Sequence, residues 1–334
     1  MSADRMRALL FDEPAPDATK TRVGRVEIPA PGPGQVAIRV THAGVNFKDV
    51  MARRGDPGYV RAWPFIPGLE VAGFVHAVGE GVEESRVGEQ VVAFTGEGGL
   101  AEFATADARL TIAIPDGLAP EMAAAAVGAP LTAMILIDEF GHLKEGETVL
   151  VHSAAGGVAS AVAQLARQAG AGRLLGTVGD PTRVPAAERN GYDTVVVRGD
   201  ALATAIRRAT NGRGVDLILD PQGTTALDTD LDIAAPGARI ILFGNATGAP
   251  FRPLPPVERM MSGLLTITGF SLAALAARAP ERLTSALRDV LGHMTTGTLQ
   301  LEITVLDGLA AASDAQQSLA EGRGATKYVT RLQA

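Results

Sequence analysis

One stretch constrains this chain more than any other. Thr148-Val149-Leu150-Val151-His152 reads as a continuous apolar strand that runs straight into Ser153-Ala154-Ala155-Gly156-Gly157, and an alanine-rich helical pattern starts there. A buried strand that turns on small residues into a helix lets a ligand come close to the backbone. The unpaired N–H groups at such a helix start favour an anion, and a pyrophosphate fits there. Where a GxGxxG turn is usual, this chain has Ala154-Ala155-Gly156-Gly157-Val158-Ala159, with alanine in the third small position. In isolation the motif is weak, because an ordinary turn with capping glycines looks the same.

Its context adds weight. Beyond the helix over Gly157–Ala169, strand and helix patterns alternate: Arg173–Val178 then Pro185–Asn190, Thr194–Val197 then Leu202–Thr210, Val215–Asp220 then Thr225–Ala234. Ala238–Phe243 follows, and Leu265–Gly269 completes six strands. Short apolar strands joined by helices predict an α/β domain, a doubly wound parallel sheet covered on both faces. The second strand bears on the choice of cofactor. An NAD site usually ends that strand with a carboxylate for the ribose 2′-hydroxyl, ~20 residues past the glycines. Here that position falls at or near Val178, and Arg183 follows five residues later. A fixed guanidinium there suits a 2′-phosphate, so NADPH is expected over NADH. Asp180 precedes Pro181 and is expected in a turn that points it to solvent.

The chain before this region is of another kind. From Met6 to about Leu118 it is rich in Gly, Pro and Val, with strand-like runs at Met6–Phe11, Gln35–Ala43, Gly73–Val78, Gln90–Phe94 and Ala101–Ala104. Turn signals such as Pro31-Gly32-Pro33-Gly34 separate them. Helices are expected over Pro120–Val127, Leu131–Phe140, Pro280–Thr296 and Gly308–Glu321, an apolar stretch over Leu301–Leu306 and a last strand over Tyr328–Leu332. The division expected is a β-rich domain over 1–122, a cofactor domain over 123–270, and a segment over 271–334 that returns to the first domain and leaves a cleft between two lobes.

Composition excludes several classes of function. The chain has no cysteine, which rules out disulfides, thiolate catalysis and any zinc site with a Cys ligand. Its five histidines are scattered without metal-ligand spacing, so no metal is expected. A net charge of −7 offers nucleic acid or an anionic membrane no general attraction. The N-terminus lacks a signal-peptide core, and no apolar run reaches the ~20 residues of a membrane span. A cytoplasmic protein with a small-molecule substrate is the expectation.

At this point the sequence resembles the medium-chain dehydrogenase/reductase superfamily, closest to its zinc-independent NADPH:quinone oxidoreductases and enoyl reductases. The resemblance rests on Ala43-Gly44-Val45-Asn46-Phe47-Lys48-Asp49, Pro64-Phe65-Ile66-Pro67-Gly68-Leu69-Glu70-Val71-Ala72-Gly73 and Val151–Val158. It also rests on Gly176-Thr177-Val178-Gly179, Gly212-Arg213-Gly214-Val215-Asp216 and Phe243-Gly244-Asn245. It implies a GroES-like N-terminal domain, a Rossmann cofactor domain and, commonly, a homodimer. Zinc-bearing relatives carry a cysteine and a histidine at the positions that are Asn46 and Leu69 here, which implies the metal-free branch. Carried over by position, Asn46 and Thr132 lie near the nicotinamide. Ala155, Gly156, Gly157 and Val158 hold the pyrophosphate, while Thr177 to Gly179 with Arg183 hold the adenosine ribose and its phosphate. Phe243 and Gly244 flank the cofactor, and Lys327 reaches it from the last strand. Two departures stand out: Val197 replaces a tyrosine common near the adenosine, and Thr326 replaces the usual glycine before Lys327.

Without a metal to polarise an alcohol, the chemistry on offer is hydride delivery from NADPH to a conjugated acceptor, a quinone or an α,β-unsaturated carbonyl. A free-standing enoyl reductase acting on thioesters is the alternative within that chemistry; a non-catalytic NADPH sensor is the alternative outside it. The polar candidates for the catalytic step are Asn46 as a donor, Lys48 with Asp49 as a proton-relay pair, and Tyr59, read as lying in a loop. Each has a structural reading beside the catalytic one: a loop-fixing Asn, a solvated ion pair, a packing tyrosine. His152 is expected to be a satisfied strand-end residue, and Trp63 and Phe65 either line an entrance or belong to a core.

Overall fold

The computed structural model describes residues 5–324 and 326–332. Two compact units divide the chain, Met1–Leu131 with Leu275–Ala334 and Thr132–Ala274.

The first unit is β-rich. In chain order its strands are β1 (Arg5–Phe11), β2 (Thr21–Glu27), β3 (Gln35–Gly44), β4 (Glu70–Val78), β5 (Gln90–Phe94), β6 (Phe103–Asp107) and β7 (Thr111–Ala113). The second unit contains β8 (Thr148–His152), β9 (Arg173–Val178), β10 (Thr194–Val197), β11 (Val215–Asp220), β12 (Ala234–Leu242) and β13 (Thr266–Gly269). The last two strands, β14 (Ile303–Asp307) and β15 (Lys327–Arg331), belong to the first unit and extend its sheet in the order β14-β15-β3-β4-β5-β7, with β6 also paired to β3. Thus the C-terminal segment closes onto the N-terminal sheet, β15 running antiparallel to β3 with Val329 opposite Gly44. β1 and β2 pair antiparallel. Leu9, Phe11, Val36, Ile38, Val71 and Val91 form the heart of this unit's core.

In this unit the sequence pattern missed a helix. Phe47–Arg54 is helical, so the stretch just after Asn46 is not loop. Its start is held by a reciprocal cap: the Asn46 N–H donates to Asp49 Oδ2 at 2.8 Å, and Asp49 places a carboxylate in the first turn where the helix dipole favours it. Gly55 ends it at φ 75, a left-handed position suited to glycine. At eight residues the helix is too short to show an apolar stripe, and its capping spacing was the one signal available. β2, with no buried residue, was likewise invisible to a search for apolar runs.

The second unit has the parallel sheet that the alternation predicts, in the order β10-β9-β8-β11-β12-β13. Four strands fall on their expected residues, Thr148–His152, Arg173–Val178, Thr194–Val197 and Val215–Asp220. All five residues of β8 are buried, as a strand covered on both faces requires. The helix over Gly157–Gln168 turns Ala159, Ala161, Val162, Ala163, Leu165 and Ala166 inward, and its small side chains let it lie close to the sheet. β8 has β9 on one side and β11 on the other, so chain order reverses at its C-terminal end; ligands of open α/β sheets bind at such a point. The helix expected over Leu131–Phe140 divides into an α-helix over Pro130–Ile135 and a wider π turn over Leu136–Phe140. Among the described residues, no helix is long and apolar enough to cross a membrane.

Candidate functional site

The turn after β8 has the features its sequence promised. Ser153 adopts a left-handed φ of 59, Ala154 N–H donates to Thr177 O at 2.8 Å, and Gly156 N–H closes the turn on Ser153 O at 2.9 Å. Gly156 is the N-cap of the following helix and no side chain caps it, so the first N–H groups are left for a ligand. Gly156 and Gly157 are exposed, while Ala155 and Val158 are half-buried beside them. The turn is braced from behind: Asn190 Nδ2 donates to Ala154 O at 2.9 Å, Tyr192 Oη to Ala159 O at 2.8 Å and Gln222 Nε2 to Ser153 Oγ at 2.9 Å. A Cβ on Gly176 would lie 2.5 Å from that of Ala154, so β9 must carry glycine there for the turn to form. Burial pushes the Tyr192 phenol far up, so it stays a neutral donor.

No carboxylate ends β9. Val178 is buried, and Asp180 folds its exposed carboxylate back on its own turn, accepting from Thr182 N–H and Oγ1 at 2.7 Å each. Those two bonds hold its carboxyl below the usual range. Arg183 ends the short turn Pro181–Arg183 and reaches back to Ala155 O at 3.4 Å, which places a guanidinium beside the pyrophosphate turn. A second guanidinium, which the sequence reading did not pick out, stands at the end of β10: Arg198 donates through Nη1 to Thr177 Oγ1 at 3.4 Å and lies over Gly179. The side chain of Thr177 is thus fully buried and engaged inside the fold, a correction to its expected place on the ribose; the accessible part of that segment is Gly179 onward. Phe243 follows β12 half-buried, its N–H bonded to Asp220 O at 2.9 Å, and a Cβ on Gly244 would crowd Pro221 O at 3.2 Å. Thr132 is buried on the helix Pro130–Ile135.

Beneath the turn lies a buried polar chain. His152 is 2.7 Å from Thr177 Oγ1 through Nδ1 and 2.7 Å from Asp230 Oδ1 through Nε2, and Asp220 lies next to Asp230. Burial works against a charged imidazole, yet the Asp230 and Asp220 carboxylates overcome it and raise His152. Burial and the neighbouring Asp230 push the Asp220 carboxyl up to about 7. His152, Asp220 and Asp230 bring three possible metal-ligand atoms within 4.8 Å. Both ring nitrogens are already committed, however, to Thr177 Oγ1 and Asp230 Oδ1. The strand-end reading of His152 is the one this geometry supports.

The other polar centre is in the first unit. Lys327 Nζ donates to Glu70 Oε1 at 2.5 Å, Asn46 Oδ1 at 2.7 Å and Val45 O at 2.9 Å. Glu70 also accepts from Asn46 Nδ2 at 2.8 Å and, through Oε2, from Gly128 N–H at 2.5 Å. Asn46 Nδ2 points in addition to Gly44 O at 3.4 Å. The Asn46 amide is therefore locked, with its hydrogens turned inward, which corrects its expected role as a donor to substrate. Lys327 is likewise corrected: its three donors all serve this cluster. Glu70, fully buried at its centre, was missed because in sequence it is one acid inside an apolar strand.

The other catalytic candidates separate. Lys48 Nζ bonds the Gly96 carbonyl, whereas Asp49 accepts from the N–H groups of Asn46 and Gly68, the latter at 3.0 Å. The two do not form the expected hydrogen-bonded relay; Asp49 caps a helix and pins the Gly68 turn. Burial raises the Asp49 carboxyl to about 6 and lowers the Lys48 ammonium. Tyr59 packs on the unit's core, where burial raises its phenol, and Trp63 and Phe65 pack with it. Phe65 is a core residue here, and Tyr59 and Trp63 lie half-buried against that core.

Comparison with known proteins agrees with this architecture. The alcohol dehydrogenase GroES-like domain family matches residues 32–116 and the zinc-binding dehydrogenase family residues 157–289. A quinone oxidoreductase of Pseudomonas aeruginosa is 32% identical over 298 residues, 88% of this chain and 90% of that one. A phthioceranic/hydroxyphthioceranic acid synthase of Mycobacterium tuberculosis is 36% identical over 266 residues, 78% of this chain. This chain spans 12% of the length of that synthase. A mycobacterial protein solved in complex with NADPH superposes with a TM-score of 0.87 at 31% identity, covering 98% of this chain and 100% of that one.

Proposed function

The chain belongs to the medium-chain dehydrogenase/reductase family, quinone oxidoreductase type, and from that premise we propose that it is an NADPH-dependent reductase of conjugated acceptors, quinones or α,β-unsaturated carbonyls, working without a metal. The observation that carries the reading is the open Gly156-Gly157 helix start with guanidinium groups, not carboxylates, at the ends of β9 and β10. Ala155 to Val158 would hold the pyrophosphate. Gly179 and Arg183 would hold the 2′-phosphorylated ribose, with Phe243 and Gly244 beside them. When bound, NADPH supplies the hydride; the acceptor takes it at an electron-poor carbon and a proton at carbon or oxygen. The absence of cysteine, with Asn46 and Leu69 where zinc-bearing relatives have their ligands, supports the metal-free reading.

Asn46, Glu70 and Lys327 form a rigid polar centre rather than an acid, and Asp49 is a cap. In this reading the proton comes from solvent. The test is NADPH oxidation followed at 340 nm against quinones, enones and enoyl thioesters. Turnover of at least one class is expected; tight NADPH binding with no turnover of any overturns the enzyme reading in favour of a sensor. Enoyl-thioester reduction is the second reading, supported by the match to a segment of the phthioceranic acid synthase.

A cytoplasmic homodimer is part of the proposal. Phe251, Leu254, Val257, Met261 and Leu264 are all exposed within one short segment, and β13 leaves an open sheet edge. Light scattering should give twice the 34.4 kDa chain mass; a monomer at micromolar concentration removes this part.

A further inference from the structure

Two buried carboxyl groups meet beneath the pyrophosphate turn, and each keeps one oxygen without a partner. Asp220 ends β11 and Asp230 sits on the helix Leu227–Ile233; both are fully buried. Asp220 Oδ1 accepts the Gln222 N–H at 2.6 Å, and Asp230 Oδ1 lies 2.7 Å from His152 Nε2. The two Oδ2 atoms are shut off from solvent and accept no hydrogen bond. Adjacent carboxylates resist being ionised together out of water, and an unpaired buried oxygen costs free energy. The side chains are in hydrogen-bonding contact, so one proton held between them supplies the missing donor and removes one of the two charges. Burial and the neighbouring Asp230 accordingly push Asp220 up to about 7. The charged groups that act on the pair from the packed elements are His152 on β8 and, farther off, Arg198 after β10.

A single residue connects this pair to the turn above it. Gln222 gives its N–H to Asp220 and its Nε2 to Ser153 Oγ at 2.9 Å, and Ser153 opens the turn with its left-handed φ of 59. His152, on the other side of the pair, directly precedes Ser153 and bonds Thr177 Oγ1, while the Thr177 carbonyl holds the Ala154 N–H. Loss of the shared proton sets two carboxylates against each other, and a displacement of Asp220 passes through Gln222 to Ser153. Conversely, an anion on the Gly156–Gly157 helix start favours the protonated, less negative pair beneath it. We propose that Asp220 is a positioning residue for the cofactor: the proton it shares with Asp230 holds the Ser153–Gly157 turn in its binding form, so that NADPH binding takes up a proton from solvent. This rests on the NADPH reading above and is independent of how the 2′-phosphate is held.

Calorimetric titration of the full chain with NADPH at pH 7.5, in HEPES and in Tris, counts the protons taken up, because the two buffers differ in ionisation enthalpy. If binding raises the carboxyl by about one pH unit, about half a proton is taken up there, and the wild-type Kd should rise about three- to tenfold from pH 7 to 8.5. Asp220→Asn keeps the acceptor for Gln222 and carries a permanent donor toward Asp230. Its Kd should change less than about twofold over that range and its proton uptake should fall to near zero. At pH 8.5 it should bind NADPH more tightly than the wild type, a gain that a merely structural role does not give. Asp220→Asn with the wild-type pH dependence and uptake, or a wild type that takes up no proton, overturns the proposal while the NADPH reading stands. No NADPH binding by the wild type overturns both. A melting temperature within a few degrees of wild type shows that the variant is folded; if it fails this, the wild-type proton count decides alone, half a proton supporting the proposal and none overturning it.

Discussion

Replacing Lys327 with methionine gives the clearest reading of the polar centre in the first unit. The side chains of Lys327 and Glu70 are 6% and 0% exposed and lie 2.5 Å apart, and among the described residues Lys327 is the one full positive charge bonded to that carboxylate. In Lys327→Met the neutral Asn46 and Gly128 donors remain, and the carboxylate is buried without a cation. Breaking a buried pair from one side costs about 3–5 kcal/mol, against a total stability of about 5–15 kcal/mol for a domain. With a urea slope of about 2 kcal/mol/M, the midpoint should fall by about 1.5–2.5 M. Trp63 is the only tryptophan and packs on the core of this unit, so its fluorescence reports this unit's unfolding. Lys327→Met with Glu70→Gln removes both charges and should recover at least about 1 kcal/mol of the loss, because the stranded charge is gone. A Lys327→Met loss below about 1 kcal/mol, or a double variant whose loss equals the sum of the singles, refutes the account.

Other outcomes follow from the same geometry. Asp49 titrates near 6 in the fold, against an ordinary value of 3.8, so the folded state holds a proton that the unfolded state has released. Its contribution is therefore full below about pH 4 and declines as pH rises through about 6, by about 3 kcal/mol across the window. Asp49→Asn should flatten the stability profile between about pH 4 and 6; an unchanged slope in urea titrations contradicts the burial argument. His152 and Asp220, both raised, add the same sign of dependence in the second unit, and stability there should also fall as pH rises past neutrality. Gly176→Ala drives a methyl against Ala154 and Tyr192 and should cost about 1–3 kcal/mol, with at least tenfold weaker NADPH binding by fluorescence titration. Lys48→Met and Tyr59→Phe should keep kcat within threefold if the proton comes from solvent; a hundredfold loss in either makes that residue the acid.

The parallel sheet was legible because its signals are local and repeated: each apolar strand is short, each is followed by a helix-length pattern, and the turn at Gly156-Gly157 marks where the ligand end begins. The absence of an acid at Val178 was equally legible. What escaped was the partnership of distant residues. Glu70 and Lys327 lie far apart in the chain and meet because β15 returns to lie beside β3, while Gly128 reaches Glu70 from a third segment. No periodicity announces that pairing. Lys48 and Asp49 misled for the converse reason: neighbours in sequence, they start a helix, and successive helical residues face different directions. Arg198 carries no signal of its own in the sequence: it is a lone arginine just past the strand Thr194–Val197.

The central claim is hydride transfer from NADPH to a conjugated carbon. Its most direct test is reduction of an enone with NADPH deuterated separately at each face of C4, with mass spectrometry of the product. The account predicts one deuterium at the β-carbon from one of the two cofactors and none from the other. A reduced product that carries no deuterium from either cofactor contradicts it.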